Sequence, residues 1–253
     1  MRILAVAANT FREAIRDKVL YVLLFFAGVT IFGSKALGWI SVGQDNKIII
    51  DISLAAVSLF GVLIAIFVGT SLVYKEIDKR TIYTIISQPI WRYEFILGKY
   101  LGLALLIGVV TAFTGSTSAL YVFSLGGTVG ITFAEAVLLI YWKLLLITAL
   151  SVMLSSLTSP ILGAIIVFSA YLLGHATGIL IDLPPQLQGT TTETITGFLY
   201  NIVPNLSHFD IRAEAANGVA VAPSYVIWTL VYGTVYTIFF LILAAIAFQD
   251  KDV

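Results

Sequence analysis

The chain has 253 residues, 59% of them hydrophobic and 11% charged, whereas a water-soluble domain carries about 25% charged residues, so an ordinary soluble domain is excluded. Fourteen Lys plus Arg balance fourteen Asp plus Glu, which leaves no basic footprint for nucleic acid. With no cysteine and two histidines, disulfides, thiol catalysis, cysteine-held metals and a histidine-rich site are excluded as well.

In residues 2–18, Leu4, Ala7, Ala8, Phe11, Ala14 and Ile15 recur at helical spacing, with Arg2, Asn9, Arg12, Glu13 and Arg16 on the other side. This pattern predicts an amphipathic helix lying in the membrane interface. Thr10-Phe11-Arg12-Glu13 also matches a capping box, which leaves open a helix start at Phe11. A frayed tail is the plainer alternative. The first long apolar run begins only at Val19, after Arg2, Arg12, Arg16 and Lys18. That order does not suit a cleavable signal peptide, and it predicts a retained first span.

A span needs about 20 mostly apolar residues to cross about 30 Å of hydrocarbon. Six stretches qualify: Val19 to Trp39, Ile52 to Val73, Tyr100 to Phe123, Ala134 to Leu154, Ile161 to Leu180 and Tyr225 to Phe248. Too little polar sequence remains to wrap six such runs in a soluble shell. The expected fold is therefore an all-α polytopic membrane protein, and no repeat or Gly/Ser/Pro-rich linker divides it, so 1–253 is expected to be one membrane domain. With both termini cytoplasmic, ten Lys and Arg fall inside (Arg2, Arg12, Arg16, Lys18, Lys75, Lys79, Arg80, Arg92, Lys99 and Lys251) and three outside (Lys35, Lys47 and Arg212). The fourteenth, Lys143, falls within a span. The asymmetry predicts that orientation. Tyr21, Trp39, Tyr100, Tyr225 and Trp228 near span ends suit interfacial aromatic belts.

Between spans two and three, Ile82, Ile85 and Ile86 form a short apolar face beside Lys79, Arg80 and Thr84. Pro89 stops this helix, because it lacks an amide donor and clashes one turn back. Periodicity leaves two fates open for the apolar face: the bilayer surface or a protein partner. The external stretch, 181–224, is long for a connector. Its apolar run Ile195 to Val203, followed by Pro204, predicts short helices packed on the outer mouth or partly re-entrant.

Gly69-Thr70-Ser71, Tyr74-Lys75-Glu76, Arg80-Thr81-Ile82, Gln88-Pro89, Arg92-Tyr93-Glu94-Phe95 and Gly98-Lys99-Tyr100 together resemble the permease subunits of ABC-2-type transporters. Asn9-Thr10-Phe11-Arg12-Glu13-Ala14, Arg16 to Leu20, Val203-Pro204-Asn205-Leu206 and Phe248 to Asp252 fit the same pattern. The nearest branch in appearance contains the NosY-type permease of nitrous-oxide reductase maturation. The resemblance implies six spans, an N-terminal elbow helix at residues 1–18 carrying Phe11, Arg12, Glu13 and Arg16, and a coupling loop at 74–99. Within that loop it implies a coupling helix over about Asp78 to Ser87. Contact with a separate cytoplasmic ATPase, in two copies, would fall on Glu76, Arg80, Thr81, Ile82, Ile85 and Pro89. The implied assembly is a permease dimer, formed with a second copy or a paralogue, in the cell membrane. ATP and Mg are expected on the ATPase alone, and export is the expected direction.

The chain carries none of the common catalytic motifs. A phosphate-cradling loop needs G-x-x-x-x-G-K-[ST], but Gly98-Lys99 is followed by Tyr100 and the first Gly is absent; HExxH and GxSxG are absent too. No catalytic, cofactor or metal residue is therefore expected. Lys143 is the clearest intramembrane charge and a pathway candidate, since such charges are costly; the alternative is that it snorkels. Glu135, two turns away, is too far for an intimate pair. Ser58, Ser169 and His175 are further pathway candidates, because the family tends to line its cavity with spans two and five, which also carry Ser53, Thr70 and Ser71. Gly98-xxx-Gly102 and Gly174-xxx-Gly178 would permit close helix approach. A stand-alone channel or ion-coupled carrier is the competing reading, and it should show several mid-span acidic or paired charges.

Overall fold

A computed structural model describes residues 2–38, 44–78, 91–181 and 203–249, with side chains left out of the description at 72–78, 92, 177–181 and 249. Eight α-helices are present among them: α1 (Arg2–Ile15), α2 (Lys18–Gly38), α3 (Asp45–Asp78), α4 (Arg92–Ser124), α5 (Ile131–Leu157), α6 (Pro160–Ile181), α7 (Arg212–Asn217) and α8 (Pro223–Gln249). A 3₁₀ turn, Ser207–Phe209, precedes α7. Five helices are long and apolar enough to cross a membrane: α2, α3, α4, α5 and α8. In α6 the described apolar stretch is Pro160–Ala176.

Helices α3, α4 and α5 form the centre. α5 packs on α3, α4 and α8; α2 lies on α3; α6 closes on α3 and α5. Lipid is as apolar as a leucine side chain, so helices associate where small residues let backbones approach. A Cβ on Gly61 of α3 would stand 2.6 Å from the Leu144 side chain of α5, and one on Gly69 would stand 2.9 Å from Ser151 Cβ. Several buried hydroxyls bond one turn back on their own helix, as Thr148 does to Leu144 O (2.7 Å) and Ser151 to Ile147 O (2.9 Å).

Helix α1 is a single run through Thr10, whose hydroxyl bonds Val6 O at 2.9 Å. The helix does not restart at Phe11. Its buried residues, Ala7, Thr10 and Ala14, face α4. The seat is the Gly98-xxx-Gly102 pair: a Cβ on Gly98 would stand 2.6 Å from Val6 Cβ, and one on Gly102 would stand 2.5 Å from Ala7 O. Lys99, 1% exposed, ties the same joint through Glu13 at 3.8 Å.

Two expected boundaries need correction. α4 begins at Arg92, capped by Glu94 Oε2 accepting from Trp91 N at 3.0 Å, so residues 92–99 are helix and not loop, and Lys99 is interior. Tyr100 is likewise buried and belongs to no lipid-facing belt. At 34 and 33 residues, α3 and α4 are about 50 Å long, well beyond the hydrocarbon thickness. Thr70 lies level with the α5–α6 turn, 3.6 Å from a Cβ placed on Gly163. The eight residues of α3 from Ser71 to Asp78 therefore overshoot that turn by about 12 Å.

Candidate functional site

Two features converge on the pathway candidates. The first is a groove of about 350 Å³ between α3 and α6, lined by Leu63, Phe67, Thr70, Ala164, Phe168 and Ser169 among others. Its walls are almost wholly apolar, with the Ser169 hydroxyl, Thr70 and Ser71 as the polar exceptions. It opens sideways, between the exposed side chains of Phe67, Ile161 and Ile165.

The second is a buried polar cluster at mid-length of the bundle. Lys143 lies at the centre of α5, 1% exposed, and its Nζ donates to Ser58 Oγ at 2.6 Å. The ammonium does not snorkel to a bilayer surface. On α6, His175 Nδ1 lies 3.4 Å from Tyr171 O with the two rings 4.6 Å apart. Lys143 and Ser58 thus form one pair and His175 packs on Tyr171, while Ser169 lines the groove. Glu135 takes no part: its Oε2 is buried with no hydrogen-bond partner.

Sequence reasoning missed the acidic member. Residues 203–217 fold back into the bundle. Leu206 N bonds Gly174 O at 2.9 Å, and Asn205 N bonds the Tyr232 hydroxyl of α8 at 2.7 Å. The Phe209 ring, fully buried, meets Gly233 beside Trp142. Gly233 is ten residues into α8, so the segment descends about 15 Å. There Asp210 grips Arg212 with two bonds of 2.7 Å. Burial alone would raise the Asp210 carboxyl, but the Arg212 hydrogen bonds and charge, with the Lys143 ammonium, outweigh it and hold it below the usual carboxylate range. The same pairing raises Arg212, against the opposing effect of its burial. The available signal was Asp210-Ile-Arg212, two opposite charges in a charge-poor stretch.

A buried lysine costs about 2.5–3.5 kcal/mol on insertion scales, and one hydrogen bond to a charged group returns about 1.5–3 kcal/mol. Ser58 offsets much of the burial.

On the elbow, Arg12 and Arg16 are exposed, Phe11 packs partly against the core, and Glu13 reaches Lys99. Glu76 sits in the overshooting end of α3, where only the backbone is described; Arg80, Thr81, Ile82, Ile85 and Pro89 lie outside the described residues.

Long apolar helices, close glycine contacts and a buried ionic cluster define a multi-pass helical membrane protein built around a polar interior. Residues 4–253 match the family model described as ABC-2 family transporter protein, and the chain belongs to that family. Membrane proteins of this family are the membrane components of ABC transporters, are normally non-catalytic, and work with an ATPase partner. No curated protein matches the chain.

Proposed function

We propose that this chain is the permease subunit of an ATP-binding-cassette exporter, forming the cargo route as a dimer and driven by two copies of a separate cytoplasmic ATPase. The family match over residues 4–253 carries this reading. The chain acts as one membrane domain with six spans. α6, at 22 residues and about 33 Å, is long enough to be the remaining one. Both termini face the cytoplasm, as the ten-to-three bias of Lys and Arg requires. α1 is the interfacial elbow. The overshooting end of α3 extends towards the ATPase, which holds ATP and Mg.

The groove between α3 and α6 opens sideways, and a second permease copy or paralogue across it completes the cargo route. Ser169, Thr70 and Ser71 are then its polar contacts. The narrower likeness to the NosY-type branch rests on the sequence resemblance alone. Its cargo is not carried over, because Pro184-Pro185-Gln186 and the Thr190 to Thr194 run match no substrate signature.

The test is ATPase copurification. Ile82 and Ile85 are the apolar anchors of the coupling helix, with Glu76, Arg80, Thr81 and Pro89 around them. A buried anchor contributes about 2 kcal/mol, or about 30-fold in affinity. Ile82→Asp should therefore release the ATPase at unchanged membrane abundance, while Thr192→Asp in the external stretch should not. Retention of the ATPase by the double variant Ile82→Asp, Ile85→Asp would overturn the docking assignment.

A further inference from the structure

We infer that the corner between α1 and α2, which carries Arg12, Arg16 and Lys18, binds the headgroup of an anionic phospholipid whose acyl chain runs along Val22, Phe25 and Val29 of α2. The inference rests on the permease reading only for the side of the membrane, and it needs neither cargo nor ATPase.

At about 100° of turn per residue, α1 divides into three strips. Ala7, Thr10 and Ala14 are buried and seated on α4. Leu4, Ala8, Phe11 and Ile15 make an apolar strip within an arc of about 60°, and Leu4 and Ala8 are exposed. Arg2, Arg12 and Arg16, all exposed, fall within about 80° of one another, centred about 110° from the apolar strip. A helix so divided lies in the plane of the interface, with its apolar strip towards acyl chains and its cations level with headgroups. The two acids of this segment are engaged within the fold. Glu13 turns to Lys99 at 3.8 Å, and Asp17 Oδ1 accepts from Val19 N at 2.9 Å, capping α2. No carboxylate among the described residues pairs with Arg12, Arg16 or Lys18.

α2 supplies the other half of the corner. It begins at Lys18, and Val22, Phe25 and Val29 follow on the same face at steps of three or four residues, each more than half exposed. From Lys18 to Val29 the helix rises about 16 Å, about half of the hydrocarbon core and so the depth of one leaflet. A single lipid matches this arrangement, with its chain against α2 and its phosphate against guanidinium groups, whose planar forks suit phosphate oxygens. An acidic protein surface would match the cations but not the apolar strips on both helices. Phosphatidylcholine offers the same chains and phosphate with an ammonium of its own, so net charge separates the two lipids.

The test uses the purified full-length chain in nonionic detergent, without the ATPase. It is titrated with phosphatidylglycerol or with phosphatidylcholine of matched chains, and bound lipid is counted by native mass spectrometry. The natural chain should retain phosphatidylglycerol selectively. One basic residue near an anionic surface contributes about fivefold in affinity, so Arg12→Gln with Arg16→Gln should weaken phosphatidylglycerol binding about 25-fold and leave phosphatidylcholine unchanged. Arg12→Lys with Arg16→Lys should keep most of the preference. Lys35→Gln with Lys47→Gln, at the far end of α2 and the start of α3, should keep all of it. Should the arginine pair lower abundance, Lys18→Gln alone, expected at about fivefold, carries the test. An unchanged preference for phosphatidylglycerol in the Gln variants would overturn the inference. Displacement of the lipid by inorganic phosphate would also overturn it and mark a site for free anions. Loss of the ATPase from a variant with unchanged lipid preference would assign the strip to a protein partner instead. None of these results alters the Ile82→Asp test, on which the permease reading stands or falls.

Discussion

α2 and α8 are as readily recognised as membrane spans as α3, α4 and α5, yet only 22% of each of the first two is buried in the protein against 61–67% of the other three. The lesson is that apolarity places a helix in the membrane and does not choose its neighbours. What separates the two groups is small and hydroxyl-bearing residues. Gly61 and Gly69 of α3 and Gly98 and Gly102 of α4 all touch another helix, whereas Gly28 and Gly33 of α2 have nothing within 4 Å of a Cβ. α8 is intermediate: one stripe meets α5 through Gly233 and Thr234, and its outer face presents Ile238, Ile242 and Ile246.

The sharpest way to break this contrast is Gly102→Leu. The new side chain meets the Ala7 carbonyl, a backbone atom that cannot rotate away. The seat of α1 should be lost, at about 3 kcal/mol, the upper end for overpacking. Thermal unfolding in detergent should show a lower midpoint, and membrane abundance should fall. Gly61→Val should cost less, about 1–2 kcal/mol, because its obstacle is the end of the flexible Leu144 side chain. Trp142→Phe removes the indole bond to Thr234 (3.0 Å) between α5 and α8. A midpoint change equivalent to about 0.6 kcal/mol is expected, the typical value of an interhelical hydrogen bond in a bilayer. Gly33→Ala, the smallest, should stay within about 0.5 kcal/mol of the natural chain. A loss at Gly33 as large as that at Gly102 would remove the distinction between packing and lipid-facing glycines.

The same contrast explains what could be read from the sequence. The long apolar helices were legible because lipid selects for uninterrupted apolarity. Their ends were not, because α3 and α4 run past the hydrocarbon with Lys47, Lys75 and Arg92 inside the helix, and hydropathy registers only the lipid-solvated part. Gly98-xxx-Gly102 was visible as a motif, but its partner was not: it receives α1, over 80 residues earlier. Lys143 was legible as costly, yet its hydroxyl partner, Ser58, is 85 positions away, and periodicity along one helix cannot pair residues on two. Asp210 was the least accessible. It enters the bundle because Leu206 and Asn205 bond to α6 and α8, which is a property of the backbone and of no side-chain pattern. The residues expected to contact the ATPase, from Arg80 to Pro89, fall outside the described residues, and that expectation stands on the family resemblance.

Because the Ala7 and Val6 backbone region rests directly on Gly98 and Gly102, α1 and the first three turns of α4 form one stiff crosspiece, pinned again where Glu13 meets Lys99. α4 is a rod of about 50 Å, and its near end begins immediately after residues 79–90. A tug applied there cannot tilt the rod without swinging the crosspiece through the same angle. With α1 in the headgroup layer, as proposed above, the crosspiece would resist that swing as an outrigger steadies a hull, and a pull at Trp91 would be steered along the α4 axis into the bundle.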